Sequence, residues 1–291
     1  MFESNNLYEK ILFTSLGSTP NITNVELIAA GNINQAVCIQ TGKRSFLLKL
    51  NYDPNEAIFQ KEAEGLEILR KNCPLKIPEV IAYGQVEGQN FLLMEYIDSG
   101  NYFQGYWDKL AEGLAELHMN TKAFYGLEDD NFIASLPQKN EPNESWTSFF
   151  IYNRLDPLIG RAYYEQLISK EFLVRFQGIY TKLEGFFPTE KPALLHGDLW
   201  SGNILRTSEG MPALIDPAVY YGQREVDLAF SKLFGGFDQK FYEAYDAVYP
   251  LASGFEERVS VYNLYPLLVH LNLFGKAYLP GIEKAIAPFI D

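Results

Sequence analysis

Three oxygen-bearing side chains at fixed spacing constrain this chain more than any other feature. Asp198 is followed by Asn203 five residues later and by Asp216 eighteen residues later. Short apolar runs flank these positions, at residues 193–195, 204–205 and 213–215. A Thr-Ser-Glu-Gly sequence at residues 207–210 is typical of a turn. We therefore predict a hairpin that presents the three polar side chains together.

The chemistry of these side chains points to phosphoryl transfer. Aspartate and asparagine oxygens suit Mg²⁺, which needs one or two protein carboxylates besides the phosphates of a nucleotide. Kinases place one aspartate as the base and use an asparagine and a second aspartate for the metal. We accordingly predict Asp198 as the base, with Asn203 and Asp216 as magnesium ligands. The alternative is that all three are solvated turn residues, which is the common role of these residue types.

Longer motifs around these residues resemble known kinases. His-Gly-Asp at 196–198 and Asp-Pro-Ala at 216–218 have the form seen in aminoglycoside and choline kinases, and not that of protein kinases. His-Gly-Asp-Leu-Trp-Ser-Gly-Asn at 196–203 and Tyr-Gly-Gln-Arg-Glu-Val-Asp-Leu-Ala at 221–229 resemble the fructosamine (ketosamine) kinase family. The similarity extends over nearly the whole chain.

The resemblance implies an α+β, bilobal protein-kinase-like fold. We expect an antiparallel five-stranded N-terminal lobe with one main helix over residues 1–95, a hinge at 96–100, and a mostly helical lobe over 101–291. Sequence alternation places the strands at residues 25–29, 37–40, 45–50, 80–85 and 90–94. An opening helix is expected through Leu7, Ile11 and Leu12, and the main helix is expected to begin at residues 53–56, Asp-Pro-Asn-Glu.

Lys49 and Glu62 are predicted to form an ion pair. Lys49 lies within an apolar strand, Phe-Leu-Leu-Lys-Leu, where a buried cation needs a partner. Glu62 shares a helix face with Phe59 and Leu66, whereas Glu64 points away. In kinases such a pair positions the α and β phosphates of ATP.

Backbone groups of the first lobe complete the expected nucleotide site. A turn between paired strands can lay its N–H groups over phosphates. By resemblance, Gly31, Asn32 and Asn34 are assigned to this loop. Met94 is assigned to the back of the adenine pocket, and the Glu95 carbonyl and Ile97 amide to the adenine edge.

Two further residues are assigned to the substrate side. Trp200, two residues past the predicted base, is the candidate to stack on a sugar face, with a core role as the alternative. His270 is placed near the substrate by analogy, and a buried structural role is equally open.

The remaining expectations for the second lobe are structural. His118 is expected to be a core histidine, and by resemblance Asp227 is expected to brace the catalytic loop. Residues 165–187 are expected to form one long helix. Residues 125–157 are expected to be rich in loops, with aromatic side chains in the core. The polar residues of that segment are candidates to line a sugar pocket: Asn131, Gln138, Asn140 and Arg154.

Composition narrows the class of protein. The formal charge of −13 argues against a nucleic-acid partner, because binding to phosphate backbones needs clustered Lys and Arg. The two cysteines do not suggest a disulfide framework or a metal site. No stretch reads as a leader or a membrane span, so a cytoplasmic protein without a membrane partner is expected. We expect a monomer or a weak dimer.

The combined prediction is an ATP- and Mg²⁺-dependent kinase. The resemblance implies that its acceptor is a hydroxyl, O3, of a small-molecule ketosamine or of a glycated protein lysine. Phosphorylation would then lead to deglycation. Two alternatives stay open at this point: an aminoglycoside- or choline-type kinase, and a catalytically silent nucleotide-binding protein. All depend on Lys49 and the later oxygen ligands converging around a triphosphate.

Overall fold

The computed structural model describes residues 2–30, 35–51, 57–101 and 104–290. The predicted phosphate loop of Gly31, Asn32 and Asn34 and the predicted helix start at 53–56 lie outside these residues. The chain divides into two compact units. Unit 1 contains Met1–Tyr106 and Leu205–Asp216, and unit 2 contains Trp107–Ile204 and Pro217–Asp291. The lobe boundaries expected from the sequence stay a prediction, and unit 1 differs from the expected first lobe by extending to Tyr106 and by including residues 205–216.

Unit 1 is built on a five-stranded antiparallel sheet with the order β1-β2-β3-β5-β4. Its strands are β1 (Ile22–Ala30), β2 (Gln35–Thr41), β3 (Ser45–Asn51), β4 (Val80–Val86) and β5 (Gln89–Glu95). Helices α1 (Phe2–Leu16) and α2 (Ala57–Asn72) accompany the sheet. The five strands and the helices predicted from sequence periodicity are confirmed.

The two helices of unit 1 follow from their apolar spacing. Ile11 and Leu12 of α1 are fully buried in an apolar cluster that includes Phe46 and Leu48 of β3. Helix α2 buries residues at helical spacing, and its last turn carries Arg70 and Lys71. Basic side chains at that end complement the helix dipole. Because strand side chains alternate, the α1 cluster and Lys49 occupy opposite faces of β3.

Strands β9 (Ile204–Arg206) and β10 (Pro212–Leu214) form a hairpin. From Leu205 onward, this hairpin belongs to unit 1. The turn between these strands is closed by two hydrogen bonds, from the Thr207 N–H to the Met211 carbonyl and from the Gly210 N–H to the Thr207 carbonyl. The turn that the sequence predicted is therefore confirmed. The Leu214 N–H donates to the Lys76 carbonyl at 2.9 Å, so the hairpin is tied to the chain that leads into β4. This attachment carries Asp216 into unit 1.

Unit 2 is mostly helical. Its elements before the hairpin are α3 (Tyr106–His118, whose first residue belongs to unit 1), β6 (Asn131–Ile133), β7 (Leu136–Gln138), α4 (Trp146–Phe149), a π-helix (Phe150–Leu155), α5 (Asp156–Tyr164), α6 (Lys170–Gln177) and β8 (Ala193–Leu195). Those after it are β11 (Tyr220–Gly222), α7 (Glu225–Ser231), α8 (Gln239–Val248), α9 (Phe255–Tyr262), α10 (Leu264–Phe274) and α11 (Leu279–Ile286). Short 3₁₀ turns lie at Tyr180–Lys182, Ser201–Asn203, Lys276–Tyr278 and Ala287–Phe289. Within the described residues, every helix is too short or too polar to span a lipid bilayer.

The single helix expected over residues 165–187 is wrong. Gln166 has a left-handed backbone with φ 58°, which ends the preceding helix. Ser169 then caps α6 by accepting a hydrogen bond from the Phe172 N–H, and α6 ends at Gln177. The apolar spacing that suggested one helix is satisfied because side chains of α6 and of the following turn enter the same core.

Two other expectations need correction. Residues 193–195 form a strand, but β8 pairs with β11 and is not part of the hairpin. The segment 125–157 is also more regular than expected, because β6 and β7 pair and are followed by α4 and the π-helix. The expected core role of its aromatic residues is confirmed, since Trp146 and Phe150 are buried and stacked.

Candidate active site

Lys49 lies at the centre of a charged cluster in unit 1. Its Nζ donates to Glu62 Oε1 at 2.7 Å and to Asp216 Oδ1 at 2.5 Å. Strand alternation turns Lys49 away from the apolar cluster of α1, and α2 presents Glu62 from its apolar face. The predicted pairing of Lys49 with Glu62 is confirmed. The contact with Asp216, 167 residues away in the chain, brings two separately predicted site residues together.

These contacts fix the charge on Lys49. Its side chain is only 9% exposed, and burial alone disfavours an ammonium group. The carboxylates of Asp216 and Glu62 outweigh that effect, so the pKa of Lys49 is raised above its ordinary value. Lys49 is therefore a permanent cation at neutral pH, shared by two carboxylates.

Asp216 has an unusual backbone conformation. Its φ is 54°, although the residue before a proline is ordinarily extended. Left-handed non-glycine residues are concentrated at functional sites, where the surrounding structure maintains the strain. The Asp216 side chain is 40% exposed, so one carboxylate oxygen can contact Lys49 while the group stays accessible to solvent.

The loop that carries Asp198 forms a second cluster, in unit 2. The Asn203 side chain Nδ2 donates to both the carbonyl oxygen and Oδ2 of Asp198, each at 2.8 Å. The Asp198 N–H donates to Nδ1 of the fully buried His196 at 3.3 Å. A 3₁₀ turn over Ser201–Asn203 brings the two predicted site residues together. The five-residue spacing therefore closes into a compact loop.

Asp227 braces this loop from below, as the sequence predicted. Its Oδ2 accepts from the His196 N–H at 2.7 Å and its Oδ1 from the Gly197 N–H at 2.9 Å. The buried ring of His118 contacts the same Oδ2 at 3.2 Å and the Tyr245 hydroxyl at 2.7 Å. The expectation that His118 is a satisfied core histidine is confirmed, because both of its ring nitrogens have partners.

Each side chain predicted as a metal ligand offers an oxygen of the kind that magnesium prefers. Asn203 uses its Nδ2 on Asp198, which leaves the amide oxygen Oδ1 as the acceptor. Asp216 engages Lys49 through Oδ1 and retains Oδ2. Among the described residues, no group of three or more His, Cys, Asp or Glu side chains could hold a metal. One amide oxygen and one carboxylate suit a cation that takes its other ligands from phosphates and water.

The predicted adenine-binding residues lie at the end of β5. Met94 is buried, and the Glu95 carboxylate accepts from Lys76 Nζ at 2.6 Å and from the Glu79 N–H at 3.1 Å. Residues 96–101 have no regular secondary structure. The Ile97 N–H makes no backbone hydrogen bond to another described residue. The segment therefore lies outside the helices and strands, and its adenine-binding role stays a prediction.

Trp200 and His270 belong to one aromatic row in unit 2. The Phe234 ring lies between them, 6.0 Å from Trp200 and 4.7 Å from His270, centroid to centroid. The His270 Nδ1 lies 2.7 Å from the Pro266 carbonyl, which can only accept, so Nδ1 carries the proton and Nε2 keeps its lone pair. Burial lowers the pKa of His270, which is therefore neutral at pH 7. The side chains of Trp200 and His270 are both partly exposed to solvent, so neither is fully buried in the core.

The polar residues considered for a sugar pocket are instead buried. Asn131, Gln138, Asn140 and Arg154 are 6%, 2%, 0% and 0% exposed. They are hydrogen-bonded to one another and to backbone carbonyls. Their spacing in the sequence marked these residues as candidates for a sugar pocket. Only the fold shows that their side chains are buried in the protein interior.

Comparison with known proteins places these features in a family. A sequence model of the family described as fructosamine kinase matches residues 5–291. A protein of Lactiplantibacillus plantarum named "Probable ketoamine kinase" is 37% identical over 271 residues, covering 92% of this chain and 95% of its own. A chloroplastic protein-ribulosamine 3-kinase of Oryza sativa subsp. indica is 36% identical over 280 residues, covering 94% and 81%.

Solved structures agree with that assignment. A protein of Haemophilus somnus 129PT, described as a fructosamine-3-kinase, superposes with a TM-score of 0.87 at 29% identity, covering 98% of this chain and 97% of its own. A thermostable mutant of the aminoglycoside phosphotransferase APH(4)-Ia, solved with AMP-PNP and hygromycin B, has a TM-score of 0.65 at 16% identity. The match covers 96% of this chain and 95% of that chain, which shows the shared fold. The fold is thus that of the protein-kinase-like phosphotransferases. Within that class, the chain belongs to the fructosamine kinase family and is a phosphotransferase.

Proposed function

We propose that this protein transfers the γ-phosphoryl group of ATP to the 3-hydroxyl of a ketosamine, such as a fructosamine or a ribulosamine. The observation that carries the proposal is the contact of Lys49 with both Glu62 and Asp216. Such a lysine, held by a helix carboxylate beside a second aspartate, is the arrangement with which kinases bind triphosphates. The family membership and the names of the relatives support a ketosamine as the acceptor.

In the proposed reaction, Asp198 accepts the proton of the sugar hydroxyl. The hydroxyl oxygen forms a bond to the γ-phosphorus while the bond from that phosphorus to the β–γ bridging oxygen breaks, and ADP leaves. The Asn203 amide orients the Asp198 carboxylate by donating to its Oδ2, and a base of this kind needs such a fixed orientation. Lys49 binds the α and β phosphates, and Met94, Glu95 and Ile97 border the adenine.

Asn203 and Asp216 would hold Mg²⁺ through an amide oxygen and a carboxylate. When bound, this ion neutralises negative charge on the phosphates and keeps them in line with the acceptor. Asp216 contacts Lys49 through Oδ1, so Oδ2 would be the oxygen that it offers to the ion. Lys49 would bind the phosphates while it keeps its hydrogen bond to Glu62.

Trp200 and His270 would contact the acceptor. The partly exposed indole of Trp200 offers a flat apolar face of the kind that packs on sugar rings. The neutral His270 presents Nε2 as an acceptor for a hydroxyl or ammonium hydrogen. Both features suit a substrate that combines a sugar with an amine.

The product explains a role in deglycation. A phosphate on C3 lies next to the ketone carbon of the ketosamine. Enolisation toward C1 lets the phosphate leave from C3, and addition of water to the resulting imine frees the amine. We therefore propose that small glycated amines or glycated protein lysines are restored by this reaction.

A side-by-side assay tests the proposal. Purified protein is incubated with ATP, Mg²⁺ and either fructose-lysine, ribulose-lysine or kanamycin. Mass spectrometry should find one added phosphoryl group on the ketosamines, and ³¹P NMR should place it on O3. Turnover of kanamycin alone would contradict a ketosamine acceptor. Binding of ATP without transfer to any acceptor would indicate a silent nucleotide-binding protein.

A further inference from the structure

A buried chain of amides in unit 2 ends on the backbone that follows Asp216. Gln138 Nε2 donates to the Ala218 carbonyl at 3.1 Å and to Asn131 Oδ1 at 2.8 Å. Asn131 Nδ2 donates to the Val219 carbonyl at 2.8 Å. Both amides come from the β6–β7 hairpin, where Asn131 and Gln138 are opposite each other in register. Two adjacent carbonyls are thus held by two paired side chains.

The orientation of each amide is determined by its partners. Gln138 Oε1 accepts from the Tyr265 hydroxyl at 2.6 Å, so its nitrogen must face Ala218. Asn131 Oδ1 accepts from Gln138 and also from Asn140 Nδ2 at 2.8 Å. A flipped amide would oppose two acceptors or two donors in a buried site, which is costly. The arrangement therefore has a single satisfied state.

Arg154 stands at the start of the chain of bonds. Its Nη2 donates to Asn140 Oδ1 at 2.8 Å, and its Nη1 donates to the Lys139 carbonyl. The guanidinium carbon lies 3.9 Å from the centroid of the Tyr220 ring. From Arg154 the donors point in sequence through Asn140 and Asn131 to the Val219 carbonyl. A charged donor at one end of such a chain strengthens the bonds that follow it.

The far end of the network reaches the loop of Asp198. The Ala218 N–H donates to the His196 carbonyl at 2.9 Å, two residues before Asp198. Gly197, with φ 84°, lies against Ala218 so closely that a Cβ there would collide with the Ala218 carbonyl. Displacing Ala218 must therefore displace residues 196–197. Asp227 holds the N–H groups of these two residues.

We propose that Gln138 and Asn131 are positioning residues for phosphoryl transfer. They hold Ala218 and Val219, and through the Ala218–His196 hydrogen bond they fix the loop that presents Asp198. The inference rests on the proposed role of Asp198 as the base. It assigns to the β6–β7 hairpin a function in the chemical step, in place of the contact with sugar that its polar residues suggested.

The test compares Gln138→Glu with Gln239→Glu. Both replace an amide by a carboxylate, but Gln239 is exposed in the first turn of α8, where a negative charge is tolerated. Gln138→Glu places an acceptor against the Ala218 carbonyl and Asn131 Oδ1. We expect its kcat to fall about 100-fold, the scale of a small misplacement of a catalytic group. The KM values for ATP and acceptor should change less than about twofold, and Gln239→Glu should match the wild type.

A second variant keeps the test decisive if Gln138→Glu does not fold. Gln138→Met preserves length and volume but removes the hydrogen bonds, and its kcat per nucleotide-binding site should fall about tenfold. Unchanged kcat in the folded fraction of either variant would overturn the proposal, as would a loss confined to KM. Turnover is measured as ADP formation with whichever acceptor the wild type uses. A wrong acceptor assignment then appears as a wild type inactive on ketosamines and leaves the ratio of variant to wild type unaffected.

Discussion

The charged cluster around Lys49 and the amide network around Ala218 are built on different principles. Around Lys49, one cation is shared by two carboxylates, and the side chains are 9%, 13% and 40% exposed for Lys49, Glu62 and Asp216. Around Ala218, the side-chain partners of the backbone are neutral amides, and Gln138 is 2% exposed. The first cluster relies on charge, the second on the direction of each hydrogen bond.

This difference indicates which part can rearrange. An ion pair keeps much of its energy when one partner is exchanged for another of the same charge, so Lys49 can pass from Asp216 to a phosphate. A buried amide has separate donor and acceptor ends, and any rearrangement leaves one unsatisfied. On the proposed function, the charged cluster adapts to the nucleotide while the amide network keeps the base in place.

Replacement of Asp198, the proposed base, should have the largest effect. Asp198→Asn removes the proton acceptor, but the oxygen of the new amide can still accept from Asn203 Nδ2. We expect kcat to fall about 10²- to 10⁴-fold, with ATP affinity nearly unchanged because the charged cluster in unit 1 is intact. Steady-state rates and titration with a fluorescent ATP analogue measure the two quantities. Retained turnover would remove Asp198 from its role.

The hydrogen bonds that hold residues 196–197, to which Ala218 is also bonded, are tested at Asp227. The Asp227 carboxylate accepts hydrogen bonds from His196, Gly197 and His118. In Asp227→Asn, the new NH₂ group faces one of these donors and cannot accept from it. Leaving a buried donor unsatisfied should lower the free energy of unfolding by about 1–3 kcal/mol. Urea denaturation measures the loss.

Asp238→Asn is the matched control for that variant. Asp238 caps α8 from an exposed position, and asparagine caps helices as well as aspartate does. Its free energy of unfolding should equal that of the wild type. If the two variants were equally stable, the hydrogen bonds of Asp227 would not hold the loop of residues 196–197. The contrast with the charged cluster around Lys49 would then fail.

The charged cluster is tested on α2. Glu62→Gln keeps a hydrogen bond to Lys49 but removes its charge, so Lys49 should stay with Asp216 and bind phosphates less well. We expect kcat/KM for ATP to fall about tenfold, the lower end for a charge-assisted bond. Glu64→Gln, on the same helix and paired with Lys61, should leave kcat/KM at the wild-type value. Equal kcat/KM values for the two variants would show that Glu62 has no role in binding ATP.

The smallest effect is a difference in pH dependence. Because folding raises the pKa of Lys49, its ion pairs contribute fully to stability below the unfolded pKa of about 10.4, and the contribution is lost as pH rises through the folded value. The stability difference between wild type and Lys49→Met should therefore be constant from about pH 7 to 9 and shrink above about pH 10.4. For Gln138→Met the difference should not follow this course, because the amide does not titrate. Urea denaturation at each pH measures these differences. If both variants showed the same change with pH, the proposed contrast between the charged cluster and the amide network would be wrong.

Much of unit 1 was predictable because its signals are local. Alternation along β3 and helical spacing along α2 placed Lys49 and Glu62 on facing sides, and the structure pairs them at 2.7 Å. The short spacing from Asp198 to Asn203 likewise closes within a single turn. Periodicity failed at residues 165–187, where Gln166 has a left-handed φ and α6 covers only Lys170–Gln177.

The sequence by itself determined the kinds of side chain available for the chemistry and the strands and helices that carry them, because periodicity and turn residues act over a few positions. Only the tertiary structure decided that Asp216 contacts Lys49, that β8 pairs with β11, and that Gln138 and Asn131 face the backbone of residues 218–219. These contacts join segments up to 167 residues apart. Hydrogen bonds from side chains to distant carbonyls leave no periodic trace in a sequence, so their partners are set only when the whole chain packs.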